Sequence, residues 1–152
     1  MMKAPGGALI PFDDDQADKV RKFKPGAVIR ADFKEMRNGS YFRKWWTLVD
    51  YAFDLWSDGI DLMQYEGRDV LPNKERFRKE LTIMAGYFHP VYSIDGSFTL
   101  EADSLQWSKM SEETFDKLYQ ATITAVLSKV LAHKNISREE LDRAVDNLLR
   151  FA

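Results

Sequence analysis

Pro90-Val91-Tyr92-Ser93-Ile94-Asp95-Gly96-Ser97-Phe98-Thr99-Leu100, followed closely by Ser111-Glu112-Glu113-Thr114-Phe115, decides the fold class. Asp95-Gly96 lies between two runs rich in β-branched and aromatic residues. That dipeptide favours the left-handed conformations of a type I′ turn, so the spacing predicts a hairpin within 90–105. Ser111 offers a helix cap. After it, Phe115, Leu118, Tyr119, Thr122, Ile123, Val126, Leu127, Val130 and Leu131 recur at helical spacing, which predicts a helix over 112–134. A hairpin leading into a long helix points to α+β organisation rather than alternating βαβ units.

Working outward, Ser137 with Glu140 forms a capping box. It opens a last helix with Leu141, Val145, Leu148 and Leu149 facing inward. Toward the N-terminus, Asn73 caps a helix over 74–87 that turns Phe77, Leu81, Met84 and Ala85 inward. Residues 58–72, with Gly59 and Gly67, read as a loop. Asn38-Gly39-Ser40 breaks the chain and offers a cap for a helix over 40–57. Its Phe42, Trp45, Trp46, Val49, Phe53 and Trp56 form an aromatic stripe, read first as core. Residues 27–34 alternate as a strand, and 14–24 form a helix opened by Asp13 with Gln16. Residues 1–12 read as strand, turn and strand around Pro5-Gly6-Gly7. The expected fold is α+β: a small antiparallel sheet and hairpin packed with about five helices, as a single domain over 1–152.

Composition narrows the function. Ten Phe, six Tyr and four Trp are too many rings for a disordered chain. With no Cys, disulfides and thiolate metal sites are excluded, and His89 and His133 alone cannot make a histidine-rich zinc site. No apolar run approaches the roughly 20 residues that span a bilayer, and the N-terminus lacks a signal-peptide layout, so a soluble, cytoplasmic protein is expected. Phosphate-cradling loops, nucleophile elbows and metalloprotease motifs are absent from the sequence. Asp13-Asp14-Asp15 suits a helix N-terminus better than a Mg²⁺ site, and Asp58, Asp61, Asp95, His89 and His133 read as structural. No catalytic residue, metal or cofactor is implied.

The net charge of −2 hides an asymmetry: residues 19–44 hold nine Lys or Arg against Asp32 and Glu35, a net +7. Arg43 and Lys44 fall in the first turn or so of the aromatic helix, and Arg37 lies just before it. Cations there oppose the helix dipole, while unpaired N–H groups already attract an anion. The block therefore reads as an anion-binding face, unless Asp32 or Glu35 neutralises it. The candidate nucleic-acid-binding residues are Arg37, Arg43 and Lys44, with Lys34 and Lys22 adding charge. Tyr41, or an exposed face of Trp45, would stack on a base.

Lys3-Ala4-Pro5-Gly6-Gly7-Ala8-Leu9-Ile10-Pro11, Lys24-Pro25-Gly26-Ala27-Val28-Ile29, Met36-Arg37-Asn38, Phe42-Arg43-Lys44 and Leu148-Leu149-Arg150-Phe151-Ala152 resemble a family of phage and prophage proteins of unknown function. The likeness covers most of the chain, which is shorter than those relatives in the loop after the aromatic helix. A more distant likeness is to the phage lambda Orf (NinB) recombination mediators. It is carried by Arg37, Arg43-Lys44 and Trp46 after a strand ending near Lys34, then by Ser108-Lys109-Met110, Phe115 and Leu118. Asp50 falls slightly earlier in its helix than the corresponding Asp does there. This resemblance implies a homodimeric phage protein, acting in the bacterial cytoplasm, that binds single-stranded DNA. It would help to load a recombinase, in contact with the host single-strand-binding protein. The alternative is a protein-interaction module that binds a host or defence protein, either through the acidic 50–69 stretch as a DNA mimic or through the basic block as a seat for an acidic tail. A metal-dependent nuclease is the third reading.

Overall fold

A computed structural model describes residues 2–11, 14–30 and 39–151. The chain divides into two units, 1–34 and 35–152.

In the first unit, β1 (Met2–Lys3) pairs antiparallel with β2 (Leu9–Ile10). The connection closes through Ala4 N–H to Ala8 O at 2.8 Å, and Gly6 and Gly7 take φ of 97° and 88°, which glycine adopts without strain. Helix α1 (Asp14–Arg21) follows as expected, although its Asp13 cap lies outside the described residues. The strand expected at 27–34 is not found in its described part. Residues 27–30 pair with no strand, and Val28 is fully exposed. Alternation gives a strand two faces but does not supply a partner ladder, and β structure needs one. Residues 31–34 lie outside the described residues.

The second unit opens with α2 (Gly39–Ser57). Residues 58–72 contain a hairpin where a loop was expected: β3 (Met63–Tyr65) pairs with β4 (Arg68–Val70). The turn is Glu66-Gly67, with φ of 51° and 75°, the positive pair that a two-residue primed turn demands. Helix α3 (Lys74–Met84) starts at Asn73, whose side chain accepts from Arg76 N–H at 2.8 Å. It stops three residues earlier than expected. Gly86, at φ 94°, donates to Ile83 O while Tyr87 N–H reaches back to Thr82 O, the Schellman arrangement that closes a helix on a left-handed glycine.

Strands β5 (Phe88–Tyr92) and β6 (Phe98–Ala102) form the third hairpin. Its turn differs from the expected type I′. Type I′ needs positive φ at both central residues, and Asp95 does not have it. Instead Gly96 N–H bonds Ser93 O at 3.0 Å and Ser93 N–H bonds Ser97 O, so the loop has three residues, with Gly96 in the left-handed position at φ 84°. The Asp95 carboxylate accepts from the Ser97 hydroxyl and backbone N–H, and these bonds hold its pKa below the usual value.

A 3₁₀ turn (Trp107–Lys109) leads to α4 (Glu112–Ala125), capped by Ser111, which accepts from Thr114 N–H. The helix does not run unbroken to 134. Val126–Val130 widens into a π turn, with Leu131 N–H bonded to Val126 O at 2.8 Å. Helix α5 (Arg138–Phe151) begins on the expected capping box. Ser137 N–H donates to Glu140 Oε2, and Glu140 N–H donates to Ser137 Oγ.

The described residues thus hold five α-helices and three separate two-stranded antiparallel sheets, an α+β fold. The core of the second unit lies where α2, α3, α4 and α5 converge. Trp45, Leu48, Val49 and Ala52 from α2 meet Phe77 and Leu81, then Leu118, Ile123 and Val126, then Leu141 and Val145. No buried side-chain polar atom among the described residues lacks a partner. No described helix is long and apolar enough to cross a membrane.

Candidate functional site

Helix α2 begins differently from the helices around it. Its first turn holds no acidic residue, whereas α3, α4 and α5 carry Glu75, Glu112 with Glu113, and Glu139 with Glu140 in theirs. Arg43 and Lys44 stand near this positive end, about 100° apart around the helix, and they diverge. Lys44 turns toward α4 and α5. Its Nζ sits 4.8 Å from the Tyr119 ring centre and 3.7 Å from Asp146. The Tyr119 hydroxyl reaches Asp142 at 3.4 Å. Burial above all, then the charges of Asp142 and Asp146, push its pKa far above the usual value, so Lys44 faces a neutral ring. The acid beside Lys44 therefore comes from α5. Asp32 and Glu35, the neutralisers suggested by the sequence, lie outside the described residues.

Arg43 is exposed. It precedes Trp46 by three positions, so the two are surface neighbours on α2. Tyr41 is half-buried and stacked on Phe115, with ring centres 4.4 Å apart and planes within 9°, which occupies one of its faces. The expectation for Trp45 is overturned. It is 1% exposed, and its Nε1–H donates to Thr122 Oγ1 at 3.0 Å, so it has no face to offer a base. Helical spacing marked the stripe correctly but could not tell which ring points straight at α4. Arg37 and Lys34 lie outside the described residues. Lys22 is exposed within the first unit.

Beside Trp46 opens a groove of about 330 Å³, lined by α2, α3 and the segment leaving β6. Buried Trp45 lies behind it, and Trp46 and Trp107 supply half-buried ring surface. Trp45 meets Trp46 nearly edge-on, and Phe42 meets Trp107 in the same way at 5.7 Å, so both rings are held by neighbours. Arg78 lies 5.8 Å from the Trp46 ring centre and is fixed by Glu75 through two bonds, from Nε and Nη2. Lys79 adds an exposed cation. From the segment after β6, Asp103 pairs with His89 Nδ1 at 2.8 Å, next to Ser104. No cluster of three or more His, Asp and Glu suited to a metal converges among the described residues.

Sequence reasoning missed this groove because its walls come from segments far apart in the chain. Its advance signals were Trp45 and Trp46 in the aromatic stripe and the net +2 of residues 74–80, which include Arg78 and Lys79.

The model of one protein family matches residues 1–71 and 65–151 of this chain, nearly its whole length. The chain belongs to the family described as Protein of unknown function (DUF1367). The DUF1367 match divides at the β3–β4 hairpin and takes in α2 and every wall of the groove. No curated protein and no solved structure matches the chain.

Proposed function

We propose that this DUF1367 chain is a phage-encoded single-stranded-DNA-binding protein of recombination-mediator type. The observation that carries the reading is the meeting of charge and ring surface at one end of α2. Exposed Arg43 stands three positions before Trp46, near an end of α2 whose first turn holds no acid, and Trp46 lines the groove together with Trp107, Arg78 and Lys79. Cations that neutralise phosphates, interleaved with aromatic faces, bind single strands with little sequence preference. Arg37, Lys34 and Lys22 belong to the proposal as further phosphate-neutralising cations by their charge alone, and Tyr41 would lend its remaining face. The sequence resemblance supports phage origin. It also extends the proposal to a homodimer acting in the host cytoplasm with the host single-strand-binding protein.

A second reading, a module that docks on a host or defence protein, is favoured by a different surface. On one face of the β5–β6 hairpin, Phe88, Pro90 and Tyr92 stand opposite Ala102, Leu100 and Phe98, with Tyr92 82% and Phe98 67% exposed. Apolar surface of this kind marks interaction sites.

Fluorescence anisotropy of a labelled single-stranded oligonucleotide, titrated at several salt concentrations, separates the two. The DNA reading expects binding that weakens steeply with salt, and a log–log slope that falls by about 1 in Arg43→Glu. No binding at low salt overturns it and leaves the protein-docking module.

A further inference from the structure

We infer that the groove between α2, α3 and the exit of β6 receives one unstacked nucleobase, and that its Asp103 wall reads the base edge. The inference rests on the DNA-binding reading and deepens it. At about 330 Å³ the groove lies near the lower end of small-ligand sites, roughly 300–1,000 Å³, which suits a single flat ring rather than a run of stacked bases. Its ring surface is already in place. Trp46 and Trp107 are each set by an aromatic neighbour, so little side-chain ordering is left for a ligand to impose.

The distribution of charge identifies which part of a nucleotide enters. Arg78 and Lys79 come from α3, and Asp103 from the segment after β6. A phosphate drawn into the groove would meet the Asp103 carboxylate, which repels it. A base edge would not, because its amino or imino N–H groups donate to a carboxylate. Asp103 is oriented for this by His89, and Ser104 beside it both donates and accepts. The flanking phosphates are left to Arg43, Lys79 and Arg78. Arg78 is held by Glu75 close to the Trp46 ring. An edge-reading carboxylate accepts from an exocyclic amino group such as that of cytosine, whereas the single imino N–H of thymine is flanked by two carbonyl oxygens that the carboxylate repels, so cytosine is favoured over thymine.

The test compares three labelled single strands of equal length: oligo-dC, oligo-dT and an abasic oligomer with the same phosphates. Oligo-dC is expected to bind at least about tenfold tighter than the abasic strand and measurably tighter than oligo-dT. Trp107→Ala should erase the advantage over the abasic strand, while Trp107→Phe, which keeps a ring, should retain most of it. Asp103→Asn should abolish the preference for dC over dT without changing the salt slope. Abasic and base-bearing strands binding equally, both with steep salt dependence, would overturn the base pocket and leave the DNA-binding function standing. No binding by any strand overturns both. Equal affinity for dC and dT in the unaltered protein removes the role given to Asp103. Thermal melts of each variant check that it is folded.

Discussion

The starts of α2 and α5 show two uses of the same backbone chemistry. Each helix begins with N–H groups that have no partner inside the helix. At α5 the sequence supplies everything locally: Ser137 and Glu140 exchange hydrogen bonds, and Glu139 and Glu140 face the positive end of the dipole. At α2 nothing comparable is described. The first turn holds Gly39, Ser40 and no acid, and two cations follow. A helix start completed from within serves the fold, while one whose described first turn holds no acid and is followed by cations suits an anion from outside. Lys44 shows that the protein satisfies part of that excess itself, through the Tyr119 ring and Asp146. Arg43 is the cation that points away.

The sharpest way to break this contrast is to remove the residue that fixes α2 against the core. Trp45→Ala empties a site that is 1% exposed and deletes the bond to Thr122, and a loss of about 3–5 kcal/mol is expected in denaturant unfolding. A loss under ~1 kcal/mol would mean that Trp45 is not the anchor described. Next is Ser137→Ala. It should cost about 1 kcal/mol by removing the α5 cap, and leave oligonucleotide affinity untouched. Arg43→Glu should do the reverse. Placing an acid just past the first turn of α2 should leave stability unchanged or raise it by up to about 0.3 kcal/mol while weakening the oligonucleotide complex. A variant that lost stability and kept its affinity would erase the distinction between the two helix starts. The smallest effect concerns pH. The Tyr119 hydroxyl has a raised pKa in the folded protein, so its contribution is intact below the unfolded value of about 10 and is lost as pH climbs above it. Tyr119→Phe should flatten that alkaline decline, as read by melting temperature between neutral and alkaline buffer. An unchanged alkaline slope would show that the phenol is not held as described.

The helices were legible because each carries its own signals. Asn73, Ser111 and the Ser137–Glu140 pair cap their helices as the sequence indicated, and Phe115 through Val126 face the core at the expected spacing. Features that depend on a partner elsewhere were not legible. Ala27–Arg30 alternate yet pair with nothing described, while Met63–Tyr65 and Arg68–Val70, too short and polar to stand out, find each other across Glu66-Gly67. The candidate site follows the same rule. Arg43 was marked by its position in one helix. The groove needed α2, α3 and the residues after β6 to be brought together, and no local pattern records that meeting.

The π turn at Val126–Val130 has a consequence for comparing this chain with its relatives. A π turn carries one residue more per hydrogen-bonded loop than an α turn, and here the extra residue is what brings buried Leu131 beneath buried Val126 at a separation of five. A relative with one residue fewer at this point would close the same helix as regular α structure. Superposing the two would need a one-residue gap inside a helix, where alignments normally forbid one. Forcing the gap into the following loop would shift residues 127–137 by one place, and would set the wrong side chain against Leu131.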